Sequence, residues 1–162
     1  MRLRVGVLLL LAAGLAACAS PRDLVLTRTY EGAVLAPQQY ATIFAVWDGG
    51  DGNPTYLCEM DGRSFRRTVY AYPCPSVLYV LPGEHRVGVE SHRGPYVSLA
   101  VIVLRAEPAR TYEISVDSKP GTAAFFVREM EPGFTLTYKD VAPVFFKGDR
   151  VNTPIDPAEA RP

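Results

Sequence analysis

Val77-Leu78-Tyr79-Val80-Leu81-Pro82-Gly83-Glu84-His85-Arg86-Val87-Gly88-Val89 decides the fold, together with Tyr96-Val97-Ser98-Leu99-Ala100-Val101-Ile102-Val103-Leu104. The first half holds a short apolar run of buried type, a Pro82-Gly83 turn, and then a strand. On that strand His85, Val87 and Val89 share one face, with Arg86, Gly88 and Glu90 on the other. Arg93-Gly94-Pro95 breaks the chain. Residues 96–104 are the most apolar stretch beyond the N-terminal leader. Their lack of polar alternation predicts a central strand covered on both faces.

The same rhythm extends both ways. Downstream, Thr111 to Asp117 alternates, with Tyr112, Ile114 and Val116 inward and Thr111, Glu113, Ser115 and Asp117 outward. Lys119-Pro120-Gly121 turns the chain into a strand from Ala123 to Glu129, and Pro132-Gly133 turns it again. One or two short strands are expected between Leu136 and Phe146. Upstream, strands are expected at Ala41–Trp47, Tyr56–Met60 and Thr68–Tyr72. The loop 48–54 and the Asp61-Gly62 turn separate them. No segment keeps a helical period, and 14 prolines and 13 glycines favour short strands over long helices. About seven to eight strands with closely spaced turns predict an all-β chain, a single antiparallel β-sandwich of Ig-like or transthyretin-like type. Its expected core includes Phe44, Trp47, Tyr79, Ile102, Ile114 and Phe126.

The chain opens with Arg2 and Arg4, an apolar run from Val5 to Ala13 and small residues up to Cys18. A basic start, a short apolar centre and a small-residue end describe an export signal. The run is shorter than the roughly 20 apolar residues that span a bilayer. Leu15-Ala16-Ala17-Cys18 resembles the bacterial lipobox. That resemblance implies cleavage before Cys18, a diacylglycerol on its sulfur and acylation of the new amine. Two or more acyl chains hold a protein stably at a membrane, at about 0.8 kcal/mol per buried CH₂. The residue after the cysteine is Ala19 rather than aspartate, which by the sorting rule of some Gram-negative bacteria implies the outer membrane. The organisation expected is a signal peptide over 1–17, a lipidated tether over 18–29, a β domain over 30–147 and a disordered, proline-rich tail over 148–162.

Charge excludes one class of partner. The chain has 17 basic and 17 acidic residues, and two of the basic ones lie in the leader. The slightly acidic remainder gives no basic face for nucleic acid. Of three cysteines, Cys18 is assigned to lipid, which leaves Cys58 and Cys74. In an exported protein such a pair predicts a disulfide. Closing a loop of this length contributes roughly 3 kcal/mol in the chain-entropy treatment.

Leu81-Pro82-Gly83-Glu84-His85-Arg86-Val87-Gly88-Val89 is similar to the Pro-Gly-x-His-x-Val-x-Val hairpin strand of small PEGA-like and transthyretin-like envelope domains. Ala106-Glu107-Pro108-Ala109-Arg110-Thr111-Tyr112 resembles the turn and tyrosine that follow it there, with Ala109 where those turns tend to carry glycine. The upstream run from Tyr40 to Asp61-Gly62 also fits, so the resemblance spans about residues 30–130. It implies a small envelope β-sandwich and no activity, since a fold does not fix a function.

There is no Gly-x-Ser-x-Gly elbow, and the only histidines, His85 and His92, lie in no catalytic context. Seven residues apart on one extended segment, they fall on opposite faces and do not form a shared metal site. His85 is expected to cap a turn and His92 to sit exposed in a loop. Asp48, Asp51 and Asn53 offer oxygens that suit calcium, but their spacing is not that of a known calcium loop, and a plain connection is preferred. Glu84, Glu90 and Glu129 are expected as surface charges. Arg63, Arg66 and Arg67 form the basic cluster, able to meet anionic headgroups or to serve as a solvated hairpin tip. Tyr70 and Tyr72 share a strand face, and most of the tyrosines are expected to be half-buried.

The sequence therefore predicts a membrane-anchored envelope lipoprotein with no cofactor and no catalytic residues. A binding or assembly role toward an envelope protein or polymer is expected of it. Two alternatives stand beside it: a small glycan-acting enzyme using carboxylates, and a calcium-binding envelope module.

Overall fold

A computed structural model describes residues 26–46, 54–66, 74–119, 121–141 and 153–160. Nine strands occur there: β1 (Leu26–Arg28), β2 (Ala41–Ala45), β3 (Thr55–Met60), β4 (Arg63–Ser64), β5 (Val77–Val80), β6 (Gly83–Arg93), β7 (Tyr96–Ala106), β8 (Thr111–Lys119) and β9 (Thr122–Glu129). A four-residue helix, α1, spans Tyr138–Val141.

The strands form two sheets. One has the order β1-β5-β2-β8-β9 and the other β4-β3-β6-β7. The second is antiparallel throughout. The first is mixed: β2 pairs with β5 antiparallel but with β8 parallel, and β1 runs parallel to β5. The expectation of a purely antiparallel architecture is corrected on this point. Turn signals identify hairpins, and parallel partners lie far apart in sequence, where no local signal records them.

Alternation explains which side chains meet. Ile43, Leu78, Val80 and Ile114 from the five-stranded sheet and Leu57, Val87 and Val89 from the other belong to one buried cluster, each at most 1 % exposed. Burying each such side chain stabilises the fold by about 1.5–3 kcal/mol. Phe44 and Tyr79 are also buried but lie in a second cluster, with Val141, Ile155 and Ala160. In that cluster Phe44 stacks on Phe134 at 5.9 Å, and Tyr40 meets Tyr79 edge-on at 5.3 Å. Every residue of β2 and β5 is consequently buried, so these short strands are the doubly covered ones.

Several expectations change with this arrangement. Residues 96–104 lie on β7, an edge strand, not a central one. Phe126 is 52 % exposed on β9, because it lies opposite Ser115 on the outward face, while Phe125 turns toward the first cluster. Ile102 is only half-buried, packed at the margin of the first cluster, while Trp47 lies outside the described residues. Leu26–Arg28, read as tether, pairs with β5. In the segment expected to hold strands from Leu136, Thr137 makes one isolated bridge to Pro154 and α1 follows. Ile155 and Ala160, read as tail, are buried in the second cluster; apolar side chains among the prolines give that segment something to bury.

Candidate functional site

The cysteines bridge as the sequence predicts. Cys58 and Cys74 form a disulfide with Cα atoms 4.8 Å apart. The β3–β6 register shifts between Leu57 and Glu59, so Cys58 is the extra residue of a β-bulge. The bulge also leaves the Cys58 carbonyl to accept from Phe65 N–H at 2.9 Å, while Leu57 N–H donates to Pro75 at 3.0 Å. The bridge and this bond tie the four-stranded sheet to the segment that enters β5.

The histidines lie on opposite faces of β6, as their spacing predicts, and neither sits in a loop. His85 Nδ1 is 2.7 Å from Asp61 Oδ2, and its Nε2 is 2.7 Å from the Leu81 carbonyl. Both partners are acceptors, so both bonds form together only when each ring nitrogen carries a proton. Asp61 Oδ1 also accepts from Arg86 N–H at 2.8 Å. Partial burial raises the Asp61 pKa, but the Arg86 amide and then His85 outweigh it, and the carboxyl titrates below its ordinary value. The group is a staple between the β3–β4 and β5–β6 turns.

The outward face of the four-stranded sheet carries a second polar group. Glu90 is buried rather than a surface charge, 6 % exposed. It pairs with Arg66, and its Oε2 lies 3.4 Å from His92 Nε2. Tyr56 meets the His92 ring edge-on at 5.6 Å. Burial, then the Arg66 charge, lowers the His92 pKa. Arg66 is thus engaged by Glu90, and only Arg63 of the described arginines in the basic cluster stands on the exposed β4 strand. Glu129 is paired with Arg110 at 3.3 Å. Arg67, Tyr70 and Tyr72 lie outside the described residues, as do Cys18, Asp48, Asp51 and Asn53. No cluster of three or more His, Cys, Asp or Glu suited to a metal ion occurs among the described residues.

The feature that the sequence does not announce is the edge formed by β7. Its ladder with β6 runs without a shift from Arg93↔Tyr96 to Gly83↔Ala106. Val97, Leu99, Val101 and Val103 project from its outward face at 49, 68, 57 and 56 % exposure. Their backbone groups point to the open side as well. Arg86 spends both its N–H and its carbonyl on Asp61, and His92 donates its N–H to Pro54, so the even-numbered residues of β6 bond toward β3. In an antiparallel ladder the residues opposite them, which are Val97, Leu99, Val101, Val103 and Arg105, then direct N–H and C=O away from β6. Among the described residues no strand pairs with that side.

The sheet edges differ in how they discourage pairing. β1 has three residues and β4 two. β9 carries Arg128 and Glu129, each held in an ion pair. Short length and charge are the usual protections of an edge. β7 has eleven residues, with no charge from Tyr96 to Leu104, no proline and no bulge. Such an edge can accept another strand through its backbone and grip it through its aliphatic side chains.

No family model matches the chain, and no curated protein or solved structure matches it.

Proposed function

We propose that the chain is a bacterial envelope lipoprotein, lipid-anchored at Cys18, whose domain is a transthyretin-like β-sandwich with a non-catalytic binding or assembly role. The observation that carries the binding role is the unprotected β7 edge, with its exposed Val97, Leu99, Val101 and Val103. The lipobox at Leu15–Cys18 supports the anchor, and a Cys58–Cys74 bridge suits an oxidising compartment. Two facing sheets with a shared buried cluster support the sandwich. So does Tyr112, whose hydroxyl accepts from Glu107 N–H at 3.0 Å and donates to the Arg105 carbonyl at 3.4 Å. A tyrosine bonded back to the chain a few residues upstream is a recurrent corner in Ig-like sandwiches. Placement of the anchor in the outer membrane rests on Ala19.

The test is crosslinking in intact cells, using the full-length chain with a photoreactive side chain at position 99. A reproducible adduct that disappears with Cys18→Ala supports an anchored binding module. An adduct level no higher than that of a probe on the charged β9 edge, at Arg128, overturns it.

A further inference from the structure

We propose that β7 pairs antiparallel with β7 of a second copy of this chain, about a two-fold axis through Val101. This rests on the reading of β7 as a binding edge and names its occupant.

The register follows from the backbone. Among the described residues, the five odd-numbered ones of β7 from Val97 to Arg105 direct N–H and C=O to the open side; the Arg105 carbonyl already accepts from the Tyr112 hydroxyl at 3.4 Å and offers only its second lone pair. Only a register centred on Val101 matches all five with those of a second copy. It sets Val101 against Val101, Leu99 against Val103 and Val97 against Arg105. A slip of two residues one way brings Pro95, which has no N–H, opposite Arg105. The opposite slip carries Val97 past the end of the strand to Glu107. A slip of one residue turns the aliphatic face of one copy to the other side of the sheet.

The neighbouring strand agrees with that choice. Arg86 and Glu90 lie beside Val103 and Leu99 on β6. In the centred register, one row across the joined sheets reads Arg86, Val103, then Leu99 and Glu90 of the second copy. The symmetric row reads the same in reverse. The row sets no like charges against each other; Glu90 is already paired with Arg66 and stands three strand spacings, roughly 14 Å, from Arg86 of the other copy. The two-residue slips line Arg86 up with His92, or Glu90 with Glu84. Val101 meets Val101 and Leu99 meets Val103 as cross-strand aliphatic pairs, the contacts that stabilise a sheet. They give the outward valines and leucine contacts that the single chain does not provide.

An edge-to-edge contact of one strand is small beside the roughly 1,600 Å² of a standard interface. Self-pairing is therefore weak in dilute solution and is favoured where chains are concentrated at a membrane. The experiment uses the full chain in the membranes of the cells that make it, with single cysteines on β7. Hydrogen-bonded antiparallel pairs hold their Cα atoms about 5.5 Å apart, within disulfide range. Val101→Cys is expected to give a reductant-sensitive dimer above that of the unsubstituted chain. Val97→Cys places its cysteines roughly 26 Å apart along the strands and is expected to give none. Co-expressed Leu99→Cys and Val103→Cys chains are expected to crosslink to each other. Adding Leu99→Lys to Val101→Cys, at a position too exposed to affect folding, is expected to abolish the dimer. Equal dimer from Val97→Cys and Val101→Cys, or none from either, overturns the proposal. A different protein captured at position 99 without any Val101→Cys dimer overturns self-pairing while leaving the binding role standing. Failure of both experiments removes both readings.

Discussion

Gly88 stands opposite Glu59 across the β3–β6 ladder, and a β-carbon at Gly88 would lie 2.7 Å from the Glu59 β-carbon. The pair comes directly after the bulge at Cys58 in the ladder, and a glycine there lets the two strands approach closely. Real β-carbons do not approach so far, and the atom in the way is fixed to the backbone. Gly88→Ala is predicted to destabilise the fold by about 1–3 kcal/mol, as overpacking does. Thermal unfolding of Gly88→Ala, Glu59→Gly and the double variant checks it. The double variant is expected to recover part of the loss, giving a coupling energy that independent sites lack. Additive effects would show that the two positions do not meet.

The strands and their turns were legible because each is written locally. The alternation around Val87, Val89, Tyr112 and Ile114 places the right side chains inward, and the Pro-Gly and Asp-Gly pairs mark the right turns. The disulfide was legible from the cysteine count. The order of strands was not. Residues 96–104 and 77–80 look alike as apolar runs, yet one forms an exposed edge and the other a strand buried on both faces. Their difference lies in what covers each strand, and the cover over Val77 and Tyr79 comes from the far end of the chain, at Val141, Ile155 and Ala160. The burial of Glu90 is hidden from the sequence for a related reason. A charged residue on an outward face signals solvent, unless Arg66 folds over it.

Ala109 holds a left-handed backbone, φ 61°. Pro108 precedes it, and Arg110 N–H reaches back to the Glu107 carbonyl at 3.3 Å. A proline followed by a positive φ is the pattern of a type II turn, whose third position favours glycine. Alanine there costs about 1–2 kcal/mol, partly offset by the greater freedom that glycine gives the unfolded chain, about 0.4–1 kcal/mol. Ala109→Gly is therefore predicted to raise stability slightly, seen as a higher midpoint in chemical denaturation. A lower midpoint would contradict the strain at this position.

Asp61 links stability to acid. Its folded carboxyl is held below the ordinary value, so the fold favours the ionised form. The sign follows: this contribution is present above the unfolded pKa, near 3.9, and is lost as pH falls through it toward the lowered folded value. The side chain is 47 % exposed, so solvent screening keeps the effect modest. Asp61→Asn keeps a side chain that tolerates the φ of 51° at this position and removes the charge. Melting curves taken from neutral to acid pH are expected to show a gap between wild type and Asp61→Asn that narrows below about pH 4. A gap that stays constant across the range would remove Asp61 from the acid response.

His92 behaves in the same direction for a different reason. Burial, and secondly Arg66, hold its pKa below the ordinary 6.5, so the folded protein favours the neutral ring. For a base shifted downward, stability is fully present above the unfolded pKa and declines as pH falls below it. Glu90 does little to counter this shift, because it lies at the outer limit of hydrogen-bonding distance from His92 and is already paired with Arg66. Arg66→Ala removes one of the two causes and frees the Glu90 carboxylate to stabilise an imidazolium. The His92 pKa is then predicted to rise, read from the ring proton shifts in an NMR titration. Gln at position 66 separates charge from bulk: it is expected to raise the pKa as well, while keeping more of the cover over Glu90. A pKa that does not move in either variant would mean that burial alone sets it, and that the Arg66–Glu90 pair has no electrostatic hold on the ring.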